Sequence, residues 1–501
     1  MLSLKKRKPE DVLVGVKDPK VLLVYVVMDE RTANTTHDIA GNTAFFLRPL
    51  LGFQYLSAVS KSIGVEAAIW DQRIMDFDVI SMAKYIDEHH IMLVGFYTSF
   101  ALTENICDFI SRLRCLSSVP IAVGGPGYVE YEQLLSAGAD VVCNGEGEEI
   151  FADVIRSLRS DNRDWSKIDG LYWKNGDQVV ANKPHTMIQN LDVLPFPDRD
   201  SVDVYTYRDY YLLGFRYPYA SMMTARGCPY RCTFCDTHNV WKKEVRQRTP
   251  DNCLEEIDML VNKYGTRYVD MVDDVFGIRH DWVEEFCRKL AERRYDIHYK
   301  ILVNPSTFGA QQSKAFYWLA KSGCDSVGIG MQSADRNILK KINRGKDDFE
   351  KLKRLVHITN KHRLMSFVSF IAGFPDEPKD APQQIMRIED EIRPTVIDCY
   401  PLVYLKGTDL EKQYTSGQIF DTYPYPVKVQ RALSVKRHFY MQPRSIYTIF
   451  KWIFQNNPGW LKLALLKHPE YIAGIVGFTK RKNEDVETAM RRVELEQAYA
   501  N

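Results

Sequence analysis

Two successive runs of short apolar strands alternating with amphipathic helices constrain this chain more than any other feature. In the first run, KVLLVYVV (20–27), VEAAIWD (65–71), IMLVGFY (91–97), PIAVGG (120–125) and ADVVCNG (139–145) read as strands. Helical patterns separate them over 50–64, 79–89, 102–115 and 129–137. A strand that is apolar at successive positions is buried on both faces, so it belongs in a parallel sheet with helices on either side. The series predicts an α/β fold that opens with a doubly wound parallel sheet. LYWKNGDQVVAN (171–182) adds a hairpin turning at Asn175-Gly176, the dipeptide that best suits a tight strand connection. LDVLPFPDRDSVD (191–203) is punctuated by proline and reads as a linker.

The second run has strands at YASMMTA (219–225), RYVDMVD (267–273), HYKILVN (298–304), DSVGIGM (325–331), LMSFVSFIAG (364–373) and TVIDCYPLV (395–403). DNCLEEIDMLVNKYG (251–265) has the apolar spacing of a helix lying on a sheet, and glycine stops it. Six βα units in this length suit a partial βα barrel, because a closed eight-unit barrel needs more chain. After about Asp409 the periodicity changes, and the rest is helical and rich in aromatics (FKWIFQNNPGWLKLALL). We read it as a helical C-terminal region whose aromatics form core, the alternative being a surface for an apolar substrate or a membrane. The expected division is 1–190, a linker over 191–215, a barrel over 216–410 and a helical region over 411–501.

Composition removes several classes of function. Basic and acidic residues number 66 and 65, so no global charge bias points to nucleic acid as a partner. The segment from Trp460 to Phe478 is the nearest to a membrane span, but Lys462, Lys467, His468 and Glu470 interrupt it, so no transmembrane segment is expected. The basic run Lys5-Lys6-Arg7-Lys8 lacks the apolar stretch that a secretory signal needs. Seven of the ten cysteines (107, 115, 143, 253, 287, 324 and 399) are scattered, most of them in apolar runs, where free cysteine acts as a small core residue. This usage points to a reducing, cytoplasmic compartment.

The other three share one loop, RGCPYRCTFCDTH (226–238), directly after the first strand of the second run. In a parallel barrel that loop lies on the catalytic face. Cys228, Cys232 and Cys235 have the spacing C-x-x-x-C-x-x-C, and thiolates this close can converge on one soft-metal centre. With His238 as a fourth ligand the site is a closed Cys3His zinc centre. Zinc ligands, however, usually come as two short pairs across a longer spacer, whereas here all four fall within eleven residues. An iron–sulfur cluster is the preferred reading. Three thiolates on a 4Fe–4S cluster leave one iron open to a substrate or cofactor.

At these residues the chain resembles the radical S-adenosylmethionine (SAM) enzymes, with Phe234 at the aromatic position of C-x-x-x-C-x-aromatic-C. The resemblance implies that Cys228, Cys232 and Cys235 are the catalytic cluster ligands. It also implies that the open iron chelates SAM, and that electron transfer yields a 5′-deoxyadenosyl radical able to abstract hydrogen from unactivated carbon. Three further stretches are similar to the same family. VDMVDDVFG (269–277) would bring Asp273 and Asp274 near the SAM amino group. VGIGMQSADRNILKKINRG (327–345) is similar to the fourth-strand motif, with Gln332 where glutamate is usual and Ser333 after it, so the ribose contact would come from an amide. FIAGFPDEP (370–378) resembles the fifth-strand glycine motif near adenine, with Gly373 at its centre.

RPLLGFQYLSAVSKSIGVEAAIWD (48–71) resembles the opening of a flavodoxin-like, cobalamin-binding domain found ahead of many radical SAM enzymes, and VGFYTSF, VGGPGYVEYEQLL and DVVCNGEGEEIF continue the likeness. Ligands of such sheets bind at the carboxyl ends of the strands, which gives Thr98, Ser99, Gly124, Gly125, Gly145 and Glu146 as candidate cobalamin contacts. The cobalt-ligating pattern D-x-H-x-x-G is absent; THDIAG (36–41) has the wrong spacing, and His37 or Arg48 would be the residues facing the lower side of the corrin. The resemblance implies an oxygen-sensitive, cytoplasmic enzyme using a 4Fe–4S cluster, SAM and cobalamin. Its expected activity is methylation of an unactivated carbon on a small-molecule or natural-product substrate, with a flavodoxin or ferredoxin as low-potential electron donor. Radical cyclisation or C–C coupling on a porphyrin-like or lipid skeleton is the second outcome. A non-catalytic corrinoid or zinc-binding protein is the third.

Overall fold

The computed structural model describes residues 6–12, 16–27, 48–99, 102–160, 163–203, 207, 218–242, 244–308 and 312–456. The stretch with His37 and the apolar segment after Asn456 lie outside them. The described residues form two compact units. One takes those within Met1–Ala33, Arg48–Asp209 and Asp236–Gln247, and the other those within Tyr210–Cys235 and Arg248–Asn501.

The first unit holds one sheet of seven strands: β1 (Val21–Tyr25), β2 (Ala67–Asp71), β3 (Leu93–Tyr97), β4 (Ile121–Gly124), β5 (Val141–Cys143), β6 (Leu171–Asn175) and β7 (Gln178–Ala181). Their order is β2-β1-β3-β4-β5-β6-β7. The first five are parallel, and the hairpin β6–β7 adds antiparallel to β5. Every residue of β2 is buried, and β1 and β3 are buried at all but their last position. That is the continuous apolar pattern of strands covered on both faces. The helices form two packed sets, Leu51–Ser62 with Gly147–Arg159 and Val79–His89 with Thr103–Arg114. The doubly wound expectation is met. Strand order reverses between β1 and β3, the switch point where such sheets bind ligands.

The second unit carries a six-stranded parallel sheet: β8 (Tyr219–Met222), β9 (Tyr268–Met271), β10 (His298–Val303), β11 (Cys324–Gln332), β12 (Met365–Ala372) and β13 (Val396–Pro401). Order follows the chain, from β8 at one edge to β13 at the other, so the sheet is an open partial barrel. Local signals punctuate its helices. Thr249 caps Pro250–Tyr264, which ends at Gly265 in the left-handed region, and Asp348 caps Phe349–Lys361 through the Lys351 N–H. One apolar core runs from Ala220 to Ile453, so helices Tyr425–Tyr440 and Pro443–Asn456 contribute to the same core as the strands.

Helix Tyr425–Tyr440 lies along β12 and β13. Tyr440 donates its hydroxyl to the Ile397 carbonyl (2.9 Å), and Lys436 pairs with Asp398 (2.5 Å). These contacts cover the outermost strand, whose exposed edge would otherwise invite pairing with another chain.

Candidate active site

The cysteine loop follows β8 and is held by residues far along the chain. Gly227 opens it at φ +91°, and its N–H donates to the Asp274 carboxylate (3.2 Å). A turn closes between the Cys232 carbonyl and the Cys235 N–H (3.1 Å). Asn343 Nδ2 donates to the Arg231 carbonyl (3.0 Å), the Thr233 N–H to the Ile342 carbonyl (3.3 Å), and the Leu410 N–H to the Thr233 carbonyl (2.8 Å). Phe234 packs edge-on against Phe374, with ring centres 5.8 Å apart.

None of the three cysteines is in a disulfide, and all are half-buried. Burial pushes the Cys228 thiol up to about 12, and the charges of Asp274 and the other two cysteines add to the effect. Burial also raises Cys232, while Arg344 opposes it. A metal centre therefore has to displace thiol protons to bind. Among the described residues no three of His, Cys, Asp and Glu close on a single point as a one-ion site requires. His238 Nδ1 lies 2.5 Å from the Lys242 carbonyl, which takes up one nitrogen of the expected fourth zinc ligand. Three soft thiolates on one loop are the donor set that an iron–sulfur cluster takes.

Arg344 is a site residue that the sequence reading missed. Its Nη1 sits 3.8 Å from Cys232 Sγ, its Nη2 donates to the Gly330 carbonyl, and its Nε pairs with Asp347 (2.6 Å). The guanidinium is buried with its carboxylate partner, so it is oriented as well as charged. It lies within the stretch 327–345, but 112 residues separate it from Cys232, and nothing local announces the contact.

The expected SAM residues occupy different environments. Gln332 ends β11 at φ +76°, past a register shift between Gly330 and Gln332. Its amide folds back over Gly330, so that a Cβ at residue 330 would come within 2.6 Å of Nε2. Ser333 is buried, and its hydroxyl accepts the Asp335 N–H (3.1 Å). Gly373 stands at φ +92°, and its N–H donates to Glu377 (2.8 Å). Asp274 is exposed beside Gly227. Asp273, expected at the SAM amino group, is instead buried. Its carboxylate accepts the Thr224 N–H (2.6 Å), the Thr224 hydroxyl and the Ala225 N–H (3.1 Å). Burial raises it to about 6, with those bonds opposing, and its work is to fix the end of the strand that leads into the cysteine loop.

In the first unit, aromatic rings cluster at the carboxyl ends of β1 and β3. Tyr25 stacks on Tyr97 (5.7 Å), Phe53 meets Tyr97 edge-on (6.4 Å), and the Arg73 guanidinium covers Tyr25 (4.6 Å). Arg73 is fixed by Asp71 (2.6 Å), which also accepts the Tyr207 hydroxyl (2.9 Å). Ser99 and Gly124 are half-buried at the strand ends and Gly145 is exposed. Three other expected cobalamin contacts serve packing. Thr98 is fully buried. Gly125 stands at φ +106°, and a Cβ there would meet the Thr98 carbonyl at 2.5 Å, so the tight loop itself requires glycine. Glu146 is turned inward, accepting Arg246 Nη1 (2.5 Å) and the Ile188 N–H (2.7 Å). Arg48 gives its carbonyl to Arg73 Nη2 (3.0 Å).

Residues 222–388 match the model of the radical SAM superfamily. An uncharacterised methyltransferase of Pyrococcus horikoshii is 26% identical over 374 residues, covering 72% of this chain and 76% of the relative. The anaerobic magnesium-protoporphyrin IX monomethyl ester cyclase of Cereibacter sphaeroides is 26% identical over 63% of this chain, but the match spans only 52% of the cyclase. Among solved structures, the radical SAM methyltransferase TsrM of Kitasatospora setae, with cobalamin and a 4Fe–4S cluster bound, superposes with a TM-score of 0.63 at 19% identity, covering 80% of this chain and 75% of that one. This last likeness is one of fold. With three thiols on the loop after the first strand of an open six-stranded parallel sheet, residues 222–388 carry the radical SAM likeness in sequence and in strand plan alike.

Proposed function

We propose that this enzyme is a cobalamin-dependent radical SAM methyltransferase that acts on an unactivated carbon of a small-molecule or natural-product substrate. The observation that carries the reading is the cysteine loop, gripped by Arg344, Asn343 and Leu410 at the mouth of the open barrel. When bound, the cluster supplies the electron that cleaves SAM to a radical, and the corrinoid supplies the methyl group. Cys228, Cys232 and Cys235 would ligate the cluster. Gln332, Ser333 and the Gly373 turn would hold SAM, with Phe234 packing the loop, Asp274 at its mouth and Asp273 bracing the strand behind it. Residues 216–410 would house this chemistry, and 411–501 would close the barrel. Residues 1–190 would hold the corrinoid at the Tyr25–Tyr97 wall and the strand ends Ser99, Gly124 and Gly145. A flavodoxin or ferredoxin in the cytoplasm would supply electrons at low potential. No helix among the described residues is long and apolar enough to cross a membrane.

Methylation is favoured over cyclisation because the methyltransferase relative aligns over most of both chains, whereas the match to the cyclase spans about half of that protein. The test supplies methyl-deuterated SAM, cobalamin and a low-potential reductant with candidate substrates. Label in the product is the expected result. Deoxyadenosine formed alongside an unlabelled, cyclised or coupled product would overturn the methyltransferase reading.

A further inference from the structure

The turn after β12 is held from behind by a segment that lies outside the residues matched to the superfamily, 222–388. Glu377 is almost wholly buried, and one of its oxygens accepts the Gly373 N–H (2.8 Å) as well as Arg431 Nη2 (2.8 Å) and Nε (3.2 Å). Arg431 belongs to helix Tyr425–Tyr440, and it also donates to the carbonyls of Pro378 (2.8 Å) and Lys379 (3.1 Å). Its guanidinium lies over the Tyr423 ring at 4.2 Å, and the Tyr423 hydroxyl donates to the Glu377 carbonyl (2.9 Å). The Asp376 N–H donates to the Thr422 hydroxyl (2.9 Å), in a residue that stands at φ +59°. Lys428 packs where a Cβ on Gly373 would sit. On the other side of the turn, Phe374 touches Phe234 of the cysteine loop.

We propose that Arg431 is a positioning residue for SAM. Through the Glu377 carboxylate it sets the Gly373–Pro378 turn, so helix Tyr425–Tyr440 governs SAM affinity without touching the cofactor. This rests on the reading that the Gly373 turn is part of the SAM site. A planar guanidinium that bonds a carboxylate through two nitrogens and two carbonyls besides fixes both the distance and the angle of the turn, which a point charge does less well. Without it, the carboxylate that orients Gly373 is left buried and uncompensated, and the turn can relax.

The test uses full-length protein with reconstituted cluster. SAM dissociation constants are measured by equilibrium dialysis, together with cluster absorbance and corrinoid uptake. Arg431→Met is expected to weaken SAM binding about tenfold, the scale of a lost charge-assisted hydrogen bond, and Tyr423→Phe about two- to threefold. Arg431→Lys should fall between Arg431→Met and the parent. Cluster content and corrinoid uptake should stay at parental levels in all three variants. A folded Arg431→Met protein that binds SAM as tightly as the parent overturns the proposal, and so does parallel loss of SAM, cluster and corrinoid. If Arg431→Met does not fold, Tyr423→Phe decides, and unchanged affinity there is equally fatal. A parent protein with an intact cluster that binds no SAM would overturn the SAM-site reading itself, an outcome distinct from equal binding by parent and variant.

Discussion

Gln332 keeps a left-handed backbone conformation, which costs a residue with a Cβ roughly 1–2 kcal/mol. The register shift in β11 and the amide folded over Gly330 hold it there. Strain of this kind is retained where it aims a side chain. Gly330→Ala should therefore displace the amide, because the new Cβ would stand 2.6 Å from Nε2. The displaced atom is the free end of a flexible chain, so little stability should be lost. SAM affinity should fall by about three- to tenfold, the scale of one hydrogen bond, with the melting temperature almost unmoved. A large drop in melting temperature with unchanged SAM affinity would refute this account. For the cysteines, Cys232→Ala should abolish the brown 4Fe–4S absorption after anaerobic purification, together with SAM cleavage. A colourless parent protein containing zinc would instead favour the structural-metal alternative. The placing of the three thiols and Phe234 on one loop, and of Gln332 at a strand end, was legible because each lies in a contiguous motif. Arg344 was not, because its contact with Cys232 exists only after β8 and β11 enter one sheet.

Among the elements, helix Ala381–Ile392 carries Glu389 into the core at 1% exposure, with neither carboxylate oxygen hydrogen-bonded. Burial lifts it from the ordinary 4.5 to about 9, Asp390 adds to the shift, and Arg444 opposes it. The folded chain thus keeps Glu389 protonated at neutral pH. A carboxyl raised on folding contributes its stability in full below about 4.5, and that contribution is lost progressively as pH climbs to about 9. Glu389→Met should raise the melting temperature at pH 8, with the gain shrinking toward pH 5. Thermal unfolding at the two pH values checks this, and an equal gain at both would contradict it. The strand and helix positions were readable from periodicity to within a few residues. The Tyr425–Tyr440 helix was readable as a helix, but not as the cover of β13. That role depends on Tyr440 and Lys436 meeting Ile397 and Asp398, each about forty residues earlier in the chain.

For the whole molecule, the seven-stranded sheet lies within the first unit and the six-stranded sheet within the second. The aromatic wall at Tyr25 and Tyr97 is braced within the first unit by Arg73, Asp71 and Tyr207, and none of these depends on a thiol of the second. Corrinoid uptake should therefore survive loss of the cluster. Cys232→Ala protein, incubated with hydroxocobalamin and desalted, should retain corrinoid absorbance at the parental level. Loss of corrinoid from a folded variant would count against an independent front site.

The sequence by itself determined the two α/β units, the strand count of each and the loop that bears the three thiols. Those properties reside in periods of two and 3.6 residues and in a motif shorter than one helix, so neighbouring residues carry them. Only the tertiary structure decided which polar residues are tied into the fold by buried partners. Asp273, Glu146 and Thr98 stood at strand ends and read as contacts, yet their partners Thr224, Arg246 and Thr103 show them committed to packing. Arg344 and Arg431 stood in ordinary helical and loop contexts, yet their guanidinium groups reach the cysteine loop and the turn after β12. The reason is physical. A buried polar group must find a partner, and in a parallel sheet that partner can be more than a hundred residues away along the chain, where no local pattern records it.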